Sequence, residues 1–137
     1  MKPFELALRE YGTQEILGGQ HNPRILEYFE KVGHDWVQDD ETAWCAAFVG
    51  WCLESAGIPS TKKLNAQSYM KWGKVSLRPK LGDLVVFWRI TPTSGFGHVG
   101  FLIRVNGSYI WVLGGNQENG VCITKYPTRQ LLGFRTV

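Results

Sequence analysis

The sequence predicts an α+β fold, with N-terminal helices packed on a small antiparallel β-sheet or half-barrel. Three observations carry this. Apolar residues recur at helical spacing through the first part of the chain, as far as Gly57. From Leu81 onward the period shortens to that of strands, in runs punctuated by Gly, Pro, Asn and Ser. Asn106-Gly107 then marks a tight hairpin between two of those runs. Helices followed by hairpin-linked strands are the order of an α+β domain. At 137 residues the chain fits one domain, 1–137, long enough to bury a core without disulfide staples.

Each element has its own signal. Phe4, Leu6, Ala7, Leu8 and Tyr11 give a short helix with Pro3 near its start and Gly12 at its end. Gly18-Gly19 reads as a loop. Asn22-Pro23 reads as a cap and first helical residue, and Ile25, Leu26, Tyr28, Phe29 and Val32 carry a second helix to Gly33. In the third helix Thr42 is the expected cap, Trp44, Ala47, Phe48, Trp51, Cys52 and Ser55 keep near-helical spacing, and Gly57 and Pro59 close it. A further short helix is expected over Asn65 to Trp72. Strands are expected at Asp83–Arg89, His98–Val105, Tyr109–Leu113, Val121–Tyr126 and Leu132–Thr136, as a meander.

Composition excludes several classes. The net charge of +3, with Lys and Arg scattered, is too small for a nucleic-acid-binding surface. Met1 to Tyr11 carries Glu5, Arg9 and Glu10 and is not expected to be a signal peptide, and no apolar run reaches the length of a membrane span. The three cysteines form no C-x-x-C pair and no zinc-spaced cluster with histidine. No cofactor is expected. Asp39, Asp40 and Glu41 lack the alternating pattern of a calcium loop and read as solvated acids.

One constellation carries chemistry. Cys45 falls in the first turn of the third helix, where unpaired N–H groups and the helix dipole favour a thiolate. The N–H of Cys45 itself is a candidate oxyanion donor. His98 lies between Gly97 and Val99-Gly100, at the start of a strand, with little steric cover. A base needs a partner for its second ring nitrogen. Folding the chain back at Asn106-Gly107 sets His98 about opposite Gly115, which makes the neighbouring Asn116 the expected partner and leaves Gln117 or Glu118 as alternatives. Cys52 and Cys122 fit inert structural roles, and His21 and His34 read as solvated loop residues near helix caps. Trp44, Trp88 and Phe96, with Gln117, are candidates for the walls of a substrate groove.

Read together, Trp44-Cys45-Ala46-Ala47-Phe48-Val49, Gly82-Asp83-Leu84-Val85-Val86-Phe87, Gly97-His98-Val99-Gly100 and Gly114-Gly115-Asn116-Gln117 resemble the CHAP and NlpC-type cysteine amidohydrolases. The likeness is nearest to a short CHAP-like family of bacteria and phages, to which Asn22-Pro23-Arg24-Ile25 and Leu131-Leu132-Gly133-Phe134-Arg135 also correspond. The resemblance implies a papain-like fold and cleavage of amide bonds in peptidoglycan, with Cys45 as nucleophile, His98 as base and Asn116 as the third, polar member. It departs from the pattern at one place: many CHAP domains have a Glu two residues before the Asn, where this chain has Gly114.

The expectation is therefore a monomeric peptidoglycan hydrolase, an N-acetylmuramoyl-L-alanine amidase or a peptide-stem endopeptidase, serving as a phage endolysin or an antibacterial lysin. It would be made in the cytoplasm and reach the wall through a holin or a secretion system. Two other readings stand beside it: a wall-binding module of the same fold that has lost activity, and a cysteine protease or deamidase acting on protein.

Overall fold

A computed structural model describes residues 1–16, 21–37 and 43–137. Its helices are α1 (Pro3–Arg9), α2 (Pro23–Lys31) and α3 (Cys45–Ser55), followed by a 3₁₀ helix at Ala66–Lys71. The strands are β1 (Lys74–Val75), β2 (Leu84–Trp88), β3 (Gly97–Asn106), β4 (Tyr109–Gln117), β5 (Gly120–Pro127) and β6 (Leu131–Thr136). They form one antiparallel sheet in the order β1-β6-β2-β3-β4-β5. The α+β class holds, but the sheet is not a pure meander. β2 to β5 follow one another as expected, whereas β6 returns to lie between β1 and β2.

Local chemistry explains the helices. Pro3 and Pro23 occupy first-turn positions, where a missing N–H costs nothing, and the Asn22 side chain accepts from Arg24 N–H at 2.9 Å. α3 is buried along most of its length, and the core gathers round it. Tyr28 of α2 packs on Trp44, Phe48 and Trp51 with ring centroids 5.2–5.8 Å apart. Gly50 lets the two helices close, since a Cβ there would lie 2.5 Å from Val32 Cγ1. Beside this cluster Glu10 takes a two-pronged contact from Arg24 (2.7 and 2.9 Å) and a hydrogen bond from Tyr28 Oη (2.7 Å). Burial works against the Glu10 charge, but these donors outweigh it and hold the carboxyl below its usual range.

The sheet is covered on both faces. Leu84, Val86, Val99, Phe101, Leu113 and Val121 meet the helices, while Val85, Phe87, Leu102, Ile110 and Val112 form a smaller core on the other side. Asp83, buried just before β2, accepts from Ser76 Oγ (2.6 Å) and from the backbone N–H of Lys80 (3.0 Å). It ties the end of β1 to the start of β2, so the Gly82-Asp83 motif is structural.

The β3–β4 hairpin fixes the site, and here the register differs from expectation. Asn106 pairs with Tyr109, so the turn centres on Gly107-Ser108 and not on Asn106-Gly107. A bulge between Leu102 and Arg104 then shifts the ladder partly back. β4 runs on to Gln117 with a second irregularity between Gly114 and Gln117, where Asn116 has a φ of 58°. The expected cap Thr42, the Gly18-Gly19 loop and the acids Asp39, Asp40 and Glu41 lie outside the described residues. No described helix is long and apolar enough to cross a membrane.

Candidate active site

Cys45 is the first residue of α3, and Trp44 stands at the cap position without a side-chain cap bond. Cys45 is almost covered, 6% exposed. This corrects one expectation. Burial pushes the Cys45 thiol up; the N–H groups of Val99 and Ala46, the charge of Arg89 and the N–H of Cys45 pull the other way without overcoming it. The helix start does supply donors, as its geometry requires, but the resting group is a thiol.

His98 belongs to β3 and faces the smaller core. Its ring stacks on Tyr126 of β5, with centroids 4.7 Å apart and planes 22° from parallel. Tyr126 in turn stacks on Phe87, the cross-strand neighbour of His98. Burial drives the ring down to about 4; the hydrogen bond with Gln117 opposes this and the Arg89 charge adds to it. At neutral pH the imidazole is therefore uncharged.

The partner of His98 is Gln117, not Asn116. Nε2 of the ring lies 2.8 Å from Gln117 Oε1. The amide's orientation is dictated by its other end, where Gln117 Nε2 donates to Cys122 O at 2.6 Å and to Val112 O at 3.3 Å. Two carbonyls require the NH₂ group on that side. Oε1 thus faces the ring, His98 Nε2 carries the proton, and Nδ1 keeps its lone pair. The bulge in β4 is the physical reason for the change of partner. It breaks the alternation of the strand and turns Gln117 inward, 3% exposed, while Asn116 stays half-buried.

The glycines of this segment have separate tasks. A Cβ on Gly114 would lie 2.6 Å from Gln117 Oε1 and 3.3 Å from His98 Nε2, so Gln117 reaches the ring through space that a side chain at 114 would fill. A Cβ on Gly115 would lie 2.6 Å from the Trp44 ring and 2.7 Å from Phe48 Cβ, so this glycine lets β4 rest against the start of α3.

Three depressions adjoin across this surface. One of about 520 Å³ is lined by Cys45, Leu64, Ala66, Ile90, Phe96 and Asn116, among others. It shares Arg89 and Asn116 with a second, of about 330 Å³, where His98, Gln117, Trp88 and Tyr126 lie. It shares Asn65 and Gly95 with a third, of about 760 Å³, that continues past Lys63, Lys71 and Trp72. The result is one groove with Cys45 near its middle. No hydrogen bond links the Cys45 thiol to the His98 ring; Arg89 and Asn116 border both of their depressions.

The groove-wall expectations divide. Phe96 is 62% exposed on the rim beside Cys45, and half-buried Trp88 lines the His98 depression. Trp44 is fully buried against Tyr28 and Gly115 and is a core residue, which corrects its assignment to the groove. Gln117 lines the His98 depression but is committed to the ring. Two residues at the site escaped the sequence reading. Tyr126 carried no motif. Arg89 had a usable signal, because it is the one charged residue between Leu84 and Gly97. His34 is tied to Lys62 O and Trp36, and Cys52 is buried in the core. No group of three or more His, Cys, Asp or Glu suited to a metal occurs among the described residues.

A family model described as CHAP domain matches residues 37–116, more than half of the chain. The match spans Cys45, His98 and Asn116 and stops one residue short of Gln117. No curated protein matches this chain.

Proposed function

This chain belongs to the CHAP domain family, whose members are generally hydrolases acting on peptidoglycan, and we propose that it cleaves an amide bond of the wall through a thioester on Cys45. The observation that carries the reading is the fixed tautomer of His98. With Nε2–H held on Gln117, Nδ1 is the basic atom that the ring can offer. A groove running past a cysteine at a helix start accommodates a polymer on both sides of the reacting carbonyl.

In this mechanism the Cys45 thiol proton passes to His98 Nδ1 as Sγ attacks the amide carbon. A neutral thiol and a neutral imidazole suit such a coupled transfer, which creates charge only once substrate is engaged. The oxyanion is held by backbone N–H groups at the start of α3, those of Cys45 and Ala46. The tetrahedral intermediate expels the amine, which takes the proton from Nδ1. Water then attacks the thioester with His98 as base, releasing the carboxylate and restoring the thiol. Gln117 is a positioning residue here, taking the place assigned to Asn116 from the family pattern. Asn116, which borders both depressions, is left as a contact for substrate. Amidase or stem endopeptidase, in an endolysin or an antibacterial lysin, is the activity that this reading fits.

The buried thiol and the missing Cys45–His98 hydrogen bond favour a second reading, a wall-binding module without activity. Release of soluble fragments from purified peptidoglycan separates the two. Wild type is expected to clear the suspension, and folded Cys45→Ala and His98→Ala to lose at least ~10³-fold in rate. Wild type that binds sacculi without releasing fragments, and whose Cys45 resists alkylation, would establish the binding module. Activity surviving in Cys45→Ala would overturn the assignment of the nucleophile.

A further inference from the structure

We propose that Arg89 is the docking residue for a carboxylate that the stem peptide carries close to the scissile amide, so that the groove selects walls in which this carboxylate is free. The inference rests on the wall-hydrolase reading and deepens it by naming a required group on the substrate.

Arg89 is held in place by the chain around it. It follows β2 directly and opens the loop that leads to His98. Its N–H donates to Phe96 O at 2.8 Å, and its carbonyl accepts from Thr91 N–H at 2.8 Å and from Ser94 Oγ. The backbone is thus fixed from both directions. The next residue, Ile90, has a φ of 70°, a left-handed conformation that a β-branched residue rarely adopts. Strain of this kind persists only where the surroundings over-determine it, and it concentrates at ligand sites. Here it turns Ile90 outward, 75% exposed, on the rim with Phe96, and leaves the Arg89 side chain bordering both depressions.

The charge pattern says what that side chain meets. On the described lining of the Cys45 depression, Arg89 is the one charged residue; the others are apolar or neutral. It has no ion-pair partner among the described residues. Its charge lowers both the Cys45 thiol and the His98 ring, which places the guanidinium within electrostatic reach of both. The depression on the His98 side also carries Glu118 and Lys125, but beside the nucleophile the described lining holds no charge other than Arg89. A guanidinium so placed, with no ion-pair partner among the described residues, is a receptor for an anion, and its planar fork fits a carboxylate. Stem peptides offer such groups. A glutamyl residue linked through its γ-carboxyl keeps its α-carboxylate, and a diamino acid of the diaminopimelate type keeps a second carboxylate on its side chain. Either would also repel a forming thiolate, and pairing with Arg89 cancels that repulsion. The same pairing sets the carbonyl beside Cys45.

Four synthetic muropeptides test the proposal, being the acid and the amide at the glutamyl α-carboxyl and the acid and the amide at the diamino acid side chain. In at least one pair, wild type is expected to cleave the acid with a kcat/KM about 10-fold or more above the amide, the size of one charge-assisted contact. Arg89→Gln is expected to bring that ratio to about one, and Arg89→Lys to leave an intermediate ratio. The pair that responds identifies the carboxylate. Equal rates on acid and amide in both pairs, or a preference that survives in Arg89→Gln, would overturn the proposal. Wild type that cleaves none of the four, and releases nothing from intact wall, would remove the wall-hydrolase reading and this inference with it. The side chain is exposed, so matching thermal transitions are expected to show both variants folded.

Discussion

The two halves of the site are held in different ways. Cys45 is placed by backbone: it opens a buried helix, and the donors around it are main-chain N–H groups. His98 is placed by side chains, with Gln117 on one ring nitrogen and Tyr126 on one ring face. A nucleophile set by a helix survives most changes to its neighbours. A base set by two side chains depends on every residue that lets those side chains reach it. The second half is therefore the more easily lost, and the more easily tuned.

Adjacent glycines offer the sharpest way to break this comparison. Gly114→Ala intrudes on the Gln117 amide and the His98 ring, whereas Gly115→Ala drives a methyl into Trp44 and Phe48. The first is expected to keep the fold and lower kcat/KM on the order of 10²-fold, as the base loses its tautomer and orientation. The second is expected to destabilise the protein by about 2 kcal/mol, read from urea unfolding, because the atoms it meets are packed core. If Gly114→Ala retains full activity, Gln117 does not position the base.

Acid sharpens the comparison further. His98 in the folded protein sits at about 4, against 6.5 for a free histidine. Above the unfolded value neither state binds the proton. As pH falls from there toward 4, the unfolded chain takes up a proton that the folded ring refuses. Stability is then lost at up to ~1.4 kcal/mol per pH unit, about 3 kcal/mol in all. Urea midpoints between pH 7 and pH 4 are expected to fall, and to fall less steeply in His98→Gln. Activity is expected to persist below pH 6 and to decline through about 4; Gln117→Glu, by placing a carboxylate on the ring, moves that decline to higher pH.

The smallest effect is expected at Tyr126. Tyr126→Leu removes the stack on His98, worth about 1 kcal/mol, and lowers kcat/KM several-fold, whereas Tyr126→Phe keeps the ring and stays near wild type.

Much of this was legible in the sequence. Proline and asparagine caps marked α1 and α2, and short apolar runs broken by Gly, Pro, Asn and Ser marked β2 to β5. Cys45 and His98 stood out by position, one at a helix start and one between glycines. The identity of the ring partner was not legible, because it depends on a bulge, and one extra residue in β4 exchanges Asn116 for Gln117 without any mark in composition. Trp44 illustrates the same limit. A tryptophan beside a nucleophile reads equally as wall or core, and only the close approach of Gly115 decides for core. β1 has two exposed residues and no periodic signal, and the return of β6 to an inner position is a matter of topology that spacing does not encode.

The outermost strands bear on a property remote from catalysis. Sheets recruit further strands through long, flat rows of open backbone groups, the route to fibrils. Here one border is β1, two residues long. The other is β5, whose first residues are already covered: Gly12 N–H bonds Val121 O, Val121 N–H bonds Thr13 O, and Gln14 bridges Gly120. Farther along, Lys125 lies over the Tyr109 ring at 4.4 Å, and Pro127 brings no N–H at all. The short segment after α1 thus serves as a selvedge, finishing the fabric on the side where it would otherwise take up another thread.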